Sequence, residues 1–235
     1  MIKEAIQYVV GLGKAEIHDR NGQDYSDKPL HLLKEPTASA LEVNTLSGVV
    51  DYLKSEFDGS GHAIVHVESP TSVLVQSQLN GDENRSEWIL AKAMTPTFHF
   101  DRFYDTESFN IKLQSTFVKS EDRDIMLKIV GNIQEENVHT HGDDGVSQKV
   151  VARTGVANVG NVEVPNPVNI APYRTFTEVE QPQSDFVFRM KSGPECALFE
   201  ADGGAWKLEA ISNIAVYLGV ELKKEIESGR ITIIA

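Results

Sequence analysis

The chain has 235 residues, a mass of 26.0 kDa and a formal net charge of −13, because 35 Asp and Glu outnumber 22 Lys and Arg. Proteins bind nucleic-acid phosphates through Lys and Arg that displace counterions, so this balance argues against general binding to DNA, RNA or an anionic membrane. The single cysteine, Cys196, excludes an intramolecular disulfide and a cysteine-only zinc site. With no signal-like N-terminus and no run near the ~18 apolar residues of a membrane helix, we expect a cytosolic protein.

The first third of the chain predicts two helices separated by a loop. Residues 2–11 carry apolar side chains at helical spacing, and Gly11 and Gly13 end the pattern. The polar stretch 19–24 (DRNGQD) predicts a surface loop. Thr45 predicts the N-cap of a helix that ends near Phe57. Its predicted buried face consists of Leu46, Val49, Val50 and Leu53.

The middle of the chain predicts an antiparallel meander followed by two helices. Residues 63–68, 72–78 and 87–93 alternate like strands, with turn residues between them. Caps at 105–106 and 120–122 then precede two segments whose apolar side chains recur at helical spacing. These side chains are Phe109, Leu113 and Phe117 in the first segment and Ile125, Ile129, Val130 and Ile133 in the second. We expect the aromatic residues among them to form core.

The C-terminal half predicts strands, a proline-rich arm and a final helix. The candidate strands are residues 147–153, 161–164, 185–191 and 196–200. Prolines in 164–176 forbid a central strand and predict an extended edge or a connecting arm. The helix is predicted from about Ala205 to Ser228. Its predicted inward residues are Leu208, Ile211, Ala215, Leu218 and Leu222. The apolar segment 231–234 is expected to add to a sheet, in the same chain or in a neighbouring subunit.

These elements together predict an α+β fold. It combines an antiparallel meander, a C-terminal mixed or antiparallel sheet, about five helices and the extended proline-rich arm. No repeat or break in composition marks a boundary, so residues 1–235 are expected to form one domain. An N-terminal subregion, 1–60, and a β-rich subregion, 145–235, are the divisions that the pattern allows.

Several separated motifs resemble a family of phage and prophage proteins. The motifs are residues 44–53 (NTLSGVVDYL), 143–148 (DDGVSQ), 172–179 (PYRTFTEV) and 199–206 (FEADGGAW). In this order, over roughly residues 40–225, they resemble the DUF2303 or YfdQ-like family. The resemblance implies an early-type protein of a tailed phage or prophage in the cytoplasm of the bacterial host. It implies no catalytic residue.

A dense group of potential metal ligands lies in residues 139–145 (HTHGDDG). His139, His141, Asp143 and Asp144 could ligate zinc or manganese. The pattern approaches that of metallo-β-lactamase-fold hydrolases, but Asp144 stands where their third histidine would be, and no histidine follows His141. The alternative is a turn that leads into the following strand. We favour the turn and expect no metal or other cofactor.

A second group of carboxylates suggests an alternative enzymatic function. Glu200 and Asp202 are two residues apart and would share one face of a strand, as in divalent-metal hydrolases or nucleases. Asp143 or Asp144 could add a ligand, and Lys207 lies near in sequence. The opposing interpretation ends a strand at Glu200 and places Asp202 in a turn at a helix N-terminus. We favour the second interpretation.

The proline-rich arm and the C-terminal strand favour a protein that assembles with copies of itself. Aromatic and arginine side chains on an extended segment typically anchor interfaces. The residues that we assign to assembly are Pro165, Pro167, Tyr173, Arg174, Phe176, Ile231 and Ile233. Base stacking on single-stranded DNA is an alternative use of residues 173–176. The favoured function is a homo-oligomeric shell or ring, or the binding of a host defence protein or a small nucleotide signal.

Overall fold

The computed structural model describes residues 2–13, 15–29, 38–81, 83–131, 139–143, 148–151, 166–191 and 195–235. Contacts divide the chain into two compact units, residues 1–38 and 39–235. The first contains α1 (Ile2–Leu12), β1 (Ile17–Arg20) and β2 (Gln23–Ser26). The second contains β3 (Leu41–Val43), α2 (Leu46–Ser55), β4 (Ala63–Ser69), β5 (Ser72–Ser77), β6 (Glu87–Lys92), β7 (Tyr104–Asp105), α3 (Thr106–Thr116), α4 (Glu121–Gly131), β8 (His139–Asp143), β9 (Gln148–Val151), β10 (Val168–Ile170), β11 (Ser184–Lys191), β12 (Glu195–Glu200), α5 (Trp206–Glu221), α6 (Lys223–Glu227) and β13 (Ile231–Ile234). The predicted α+β class is confirmed.

The first unit consists of a helix and a hairpin. The helix agrees with its prediction, but the surface loop predicted over 19–24 is wrong, because β1 and β2 pair there antiparallel. Asn21 and Gly22 have φ angles of 60° and 76°, the left-handed conformations that a two-residue hairpin turn requires. Both strands are exposed along their whole length, so they lack the apolar alternation that reveals a strand in a sequence.

A five-stranded mixed sheet forms the first core of the second unit. Its order is β13-β4-β5-β6-β3, and the predicted antiparallel meander β4-β5-β6 is confirmed at its centre. The edge strands β13 and β3 run parallel to their neighbours. Helices α2 and α5 pack against this sheet. The predicted cap of α2 is also confirmed, since the Thr45 hydroxyl accepts a hydrogen bond from the Gly48 N–H at 3.1 Å.

A four-stranded antiparallel sheet forms the second core, with the order β10-β11-β12-β7. Helices α3 and α4 cover it, and the predicted cap Asp105 accepts from the Ser108 N–H at 2.8 Å. The core is rich in aromatic rings, and the predicted core positions of Phe109 and Phe117 are confirmed. The rings are those of Phe98, Phe100, Phe109, Phe117, Phe186 and Phe188, with neighbouring centroids 5.0 to 6.4 Å apart.

The proline-rich segment agrees with its prediction where the structure describes it, because β10 is an edge strand. The predicted strand 161–164 lies outside the described residues. The final helix differs from its prediction in two ways. It breaks at Leu222, giving α5 and α6 and so six described helices. Leu208 is 74% exposed rather than inward, and Ala210 and Ile214 are buried in its place. Among the described helices, none has the length and apolar content to cross a membrane.

Candidate functional site

Residues 171–183, which we call the strap, connect β10 to β11 and contact both sheets of the second unit. Near its start, the Tyr173 N–H donates to the Thr116 carbonyl at the end of α3, at 2.9 Å. Further along, the Thr175 hydroxyl donates to the Pro70 carbonyl in the β4–β5 turn, at 2.5 Å. The Phe176 side chain is 1% exposed and lies in the core of the five-stranded sheet. The strap therefore ties the two cores to each other.

Two polar side chains hold the strap in shape. The buried Gln181 amide accepts from the Arg174 and Thr175 N–H groups at 3.0 and 3.2 Å and donates to the Phe176 carbonyl at 2.9 Å. Glu178 accepts from the Leu46 N–H at 2.8 Å, so that a strap carboxylate binds the N-terminus of α2. A carboxylate at this position is favourable because the helix dipole is positive there.

Arg174 has the most extensive polar contacts of the strap. Its guanidinium pairs with Glu200 at 2.9 Å, donates to the Ser184 hydroxyl and lies 3.9 Å from the Trp206 ring centroid. The side chain is 10% exposed, and burial lowers the pKa of Arg174 to about 10 although Glu200 and Asp202 oppose the shift. The guanidinium thus already has acidic neighbours and an aromatic face, which leaves it poorly suited to bind an additional anion.

The carboxylates of the alternative metal site bind groups of the protein itself. Asp202 accepts from the Ser184 hydroxyl at 2.7 Å and from the N–H groups of Gly204 and Trp206 at 3.0 and 3.4 Å. Burial acts to raise the pKa of Asp202, but these hydrogen bonds outweigh it and lower the pKa below its ordinary value. The favoured prediction of a turn at the N-terminus of a helix agrees with these bonds.

Two further members of the alternative site, Glu200 and Lys207, lie in the described part of the chain. Glu200 pairs with Arg174, and Lys207 is exposed in the first turn of α5. Throughout the part of the chain that the structure describes, no three His, Cys, Asp or Glu side chains form a group able to hold a metal ion. The chemistry that this arrangement supports is ion pairing and helix capping.

The histidine-rich segment forms a strand rather than the predicted turn alone. Residues His139–Asp143, including His141, form β8, which pairs antiparallel with β9. Asp144 lies outside the described residues. The strand predicted over 147–153 is present at Gln148–Val151, but its pairing with the histidine segment was not foreseen, since HTHGD lacks β-branched or aromatic alternation apart from Thr140.

Most residues assigned to assembly contact their own chain. Phe176 is core, Arg174 binds Glu200, and the half-buried Tyr173 lies in the strap. Pro167 is exposed beside β10, and Pro165 lies outside the described residues. The buried Ile231 and half-buried Ile233 belong to β13. The expected addition to a sheet is confirmed within the chain, because β13 pairs with β4. A role of these residues in assembly stays a prediction.

An exposed apolar surface lies on α1. Ile2, Ile6 and Val9, which share one face with Ala5, are 80%, 58% and 66% exposed, and the adjacent Val10 is 61% exposed. Residues 2–11 are exposed without exception. Sequence periodicity predicted the helix, yet that same periodicity normally indicates a face buried in the chain's own core. We call Ile2, Ala5, Ile6 and Val9 the α1 face.

The fold and these contacts define an α+β protein in which a strap joins two sheets and in which α1 has an exposed apolar face among the described residues. No family model, curated protein or solved structure matches the chain. The resemblance to the DUF2303 family therefore stays a prediction.

Proposed function

We propose that this chain is a phage or prophage protein that acts without catalysis, by assembling with copies of itself into a ring or shell. The phage origin rests on the family resemblance. The assembly rests on one observation, the exposed α1 face. The ion pairing of Glu200 and the capping role of Asp202 support a non-enzymatic function, because both carboxylates already bind groups of the protein.

The α1 face has enough apolar surface to drive association. Complete burial of a Val or Ile side chain stabilises by about 1.5–3 kcal/mol. Ile2, Ile6 and Val9 of this face and the adjacent Val10 remain 58% to 80% exposed, so covering them contributes roughly 4–8 kcal/mol per copy. An isolated helix of this length is marginal in water, since helix nucleation is costly. Packing against a partner would therefore stabilise both the interface and the helix itself.

Charge favours contact through this helix over contact through the general surface. The chain carries a net charge of −13, which repels copies from each other at low salt. Within α1 the only charged residues are Lys3 and Glu4, which balance. Two α1 faces can thus meet without adding like charges at the contact. Assembly should strengthen as salt screens the repulsion between the acidic bodies, over a Debye length of about 10 Å at 0.1 M.

Light scattering coupled to size-exclusion chromatography tests the proposal. We expect the wild-type chain to elute as a species of several 26 kDa copies. Replacement of Ile6 and Val9 together by Asp should reduce the size of this species, because it places four charges on each pair of contacting faces. The matched control is Gln7→Asp, which adds a carboxylate to the opposite, polar side of the same helix. A monodisperse wild-type monomer at high protein concentration and 0.5 M salt would overturn the proposal.

A further inference from the structure

A small cavity lies at the C-terminal end of α2, within the second unit. Its lining comes from α2 and the turn that follows it, from β6, and from the residue before β13. Its volume is about 10 Å³, which is room for one group of the size of a water molecule. We call this space the α2-end cavity. The lining residues that carry an aromatic ring or a charge are Tyr52, Glu56, Phe57, Asp58, Trp88 and Arg230.

The turn after α2 holds the Phe57 ring in solvent beside the cavity. Glu56 has a left-handed conformation with a φ of 52°, and its carbonyl accepts from the Gly59 N–H at 2.9 Å. The Phe57 N–H donates to the Ser55 hydroxyl oxygen at 3.3 Å. Although the turn is hydrogen-bonded in this way, the Phe57 side chain is 83% exposed. The turn therefore presents an apolar ring to solvent and to any ligand that enters the cavity.

Two carboxylates of the lining can each accept a further hydrogen bond. Asp58 accepts from the Tyr52 hydroxyl through Oδ2 at 2.7 Å, and within the described part of the chain its Oδ1 has no donor. Burial, together with the hydrogen bond and charge of Asp58, raises the pKa of Tyr52 to about 12, so the phenol stays protonated and remains the donor at neutral pH. Glu56 lies 3.8 Å from the Arg230 Nε, which is longer than a hydrogen bond.

The positive charge of Arg230, which also lines the cavity, is balanced from another side. Its Nη2 donates to the Leu53 carbonyl at 3.0 Å and lies 3.8 Å from the Glu225 carboxylate, whose side chain is 17% exposed. The pair of Arg230 and Glu225 is thus neutral as a whole. The carboxylates of Glu56 and Asp58 then leave the cavity negative, and the net charge of −13 acts in the same direction. Such a cavity attracts a cation and repels an anion.

We infer that the α2-end cavity binds a primary alkylammonium group, such as that of a lysine side chain. An ammonium group is about as large as a water molecule and has three donors for the carboxylate oxygens. The rings of Tyr52 and Trp88 add to the attraction, because aromatic rings stabilise a nearby cation. The exposed Phe57 ring supports the alkyl stem, since lysine stems lie along apolar surface while their ammonium groups bind polar atoms. This binding is independent of the proposed assembly, because α1 contributes no residue to the cavity.

Fluorine NMR of the full chain labelled with 5-fluorotryptophan tests the inference. The chain has 2 tryptophans, of which Trp88 lines the cavity and Trp206 does not, so Trp206 is the internal control. Trp206→Phe assigns the two resonances. We expect N-acetyl-lysine methylamide to shift the Trp88 resonance saturably with a Kd of about 1 mM. N-acetyl-norleucine methylamide, which has the same alkyl stem without the ammonium group, should cause no saturable shift.

A comparison with butylammonium identifies the source of the ligand. Both amines should bind, since both carry a primary ammonium group on an alkyl stem. Tighter binding of the lysine derivative would identify a polypeptide as the source, because its amide groups then add contacts. Tighter binding of butylammonium would identify a free amine.

Two variants separate the contribution of the charge from that of the stem. Asp58→Asn should weaken binding of the lysine derivative about fivefold, because the amide oxygen still accepts from Tyr52 but the negative charge is lost. The matched control is Asp51→Asn, which removes an exposed carboxylate of α2 outside the cavity and should change the Kd less than about twofold. Phe57→Ala should weaken the lysine derivative about threefold and leave binding of methylammonium unchanged, because methylammonium has no stem to cover.

The outcomes that would overturn the inference are distinct from those that concern assembly. A Trp88 resonance that does not respond to the lysine derivative, or that responds equally to the norleucine derivative, would overturn it. Equal losses of affinity in Asp58→Asn and Asp51→Asn would also overturn it, because the general charge of the surface would then explain the binding. Circular dichroism checks the fold of these variants, whose altered positions are exposed. A monomeric wild-type chain would overturn the proposed assembly and leave the α2-end cavity as a binding site.

Discussion

Replacement of Arg174 by Met tests whether the strap is held by its guanidinium. Met retains much of the length and apolar volume of the arginine stem but has no charge and no donor. The variant loses the ion pair with Glu200, the hydrogen bond to Ser184 and the contact of the guanidinium with the Trp206 ring. It keeps the Gln181 bonds to the strap backbone, because these use main-chain N–H groups.

The expected loss in the free energy of unfolding is the sum of these three contacts, each weighed by the exposure of the partner. Glu200 is 42% exposed, so solvent screens its pairing and we assign it about 0.5 kcal/mol. The hydrogen bond to Ser184 contributes about 1.5 kcal/mol and the stacking on Trp206 about 1–2 kcal/mol. Relief from burying the guanidinium offsets part of this loss. The expected net cost is about 2 kcal/mol, and Arg174→Lys should lie between Met and the wild type because it keeps the charge without the planar fork.

Urea unfolding followed by Trp fluorescence measures this cost. With a slope of about 3 kcal/mol per M, the midpoint should fall by about 0.7 M. The matched control is Arg102→Met, which removes an exposed arginine that lies 5.9 Å from the Tyr104 ring and should cost less than about 0.5 kcal/mol. Equal midpoints for the two variants would refute the reasoning.

Three further predictions concern the strap and the helix ends. Phe176→Ala should lower the free energy of unfolding by about 3–5 kcal/mol in urea titrations, because it empties a fully buried site, and a loss below 1 kcal/mol would show that the strap does not fill the core. Thr45→Ala should lower the free energy of unfolding by about 1 kcal/mol in the same assay, because the variant loses the α2 cap. Thr45→Ser should keep most of this stability, because its hydroxyl can still accept the hydrogen bond. Asp202 has a lowered pKa in the folded state, so its stabilising effect is present above the unfolded pKa of about 4 and is lost as pH falls through the folded value. In thermal melts Asp202→Asn should therefore be less stable than the wild type at pH 7, and the difference should shrink as the carboxylate is protonated at acidic pH; a difference that does not change with pH would contradict this.

Elements with strong periodicity were predictable, and weakly patterned ones were not. The meander β4-β5-β6 and the caps at Thr45 and Asp105 follow from local signals, namely alternation and side-chain oxygens that bind helix N-termini. The hairpin β1-β2 escaped prediction because exposed strands have no apolar alternation. The strand β3, with only three residues, is defined by its pairing with β6, and no local pattern reveals such a partner.

In the candidate site, local sequence patterns likewise predicted the elements but not the contacts between distant side chains. The motif FEADGGAW predicted a strand end, a turn and a helix start, and these are present at Glu200, Asp202 and Trp206. That Arg174 would reach both Glu200 and Trp206 depends on the path of the strap, which is set by Phe176 in one core and by the Thr116 carbonyl near the other. Arg174 is separated from Glu200 by 26 residues and from Trp206 by 32, and no periodic pattern in the sequence connects positions so far apart. That these groups lie close together could therefore be known only from the tertiary structure.

The size of the assembly depends on whether the α1 face is the single contact between copies. An isologous contact through one surface alone stops at a dimer, because the second copy uses up the surface of the first. A ring or shell needs a second, separate contact that lets each copy touch two others. Light scattering distinguishes the two cases, since a dimer should yield about 52 kDa, twice the chain mass of 26.0 kDa, and a ring or shell a higher multiple. Loss of the α1 face by the double Asp replacement should reduce the dimer to the monomer, and the ring or shell to a smaller species held by the remaining contact.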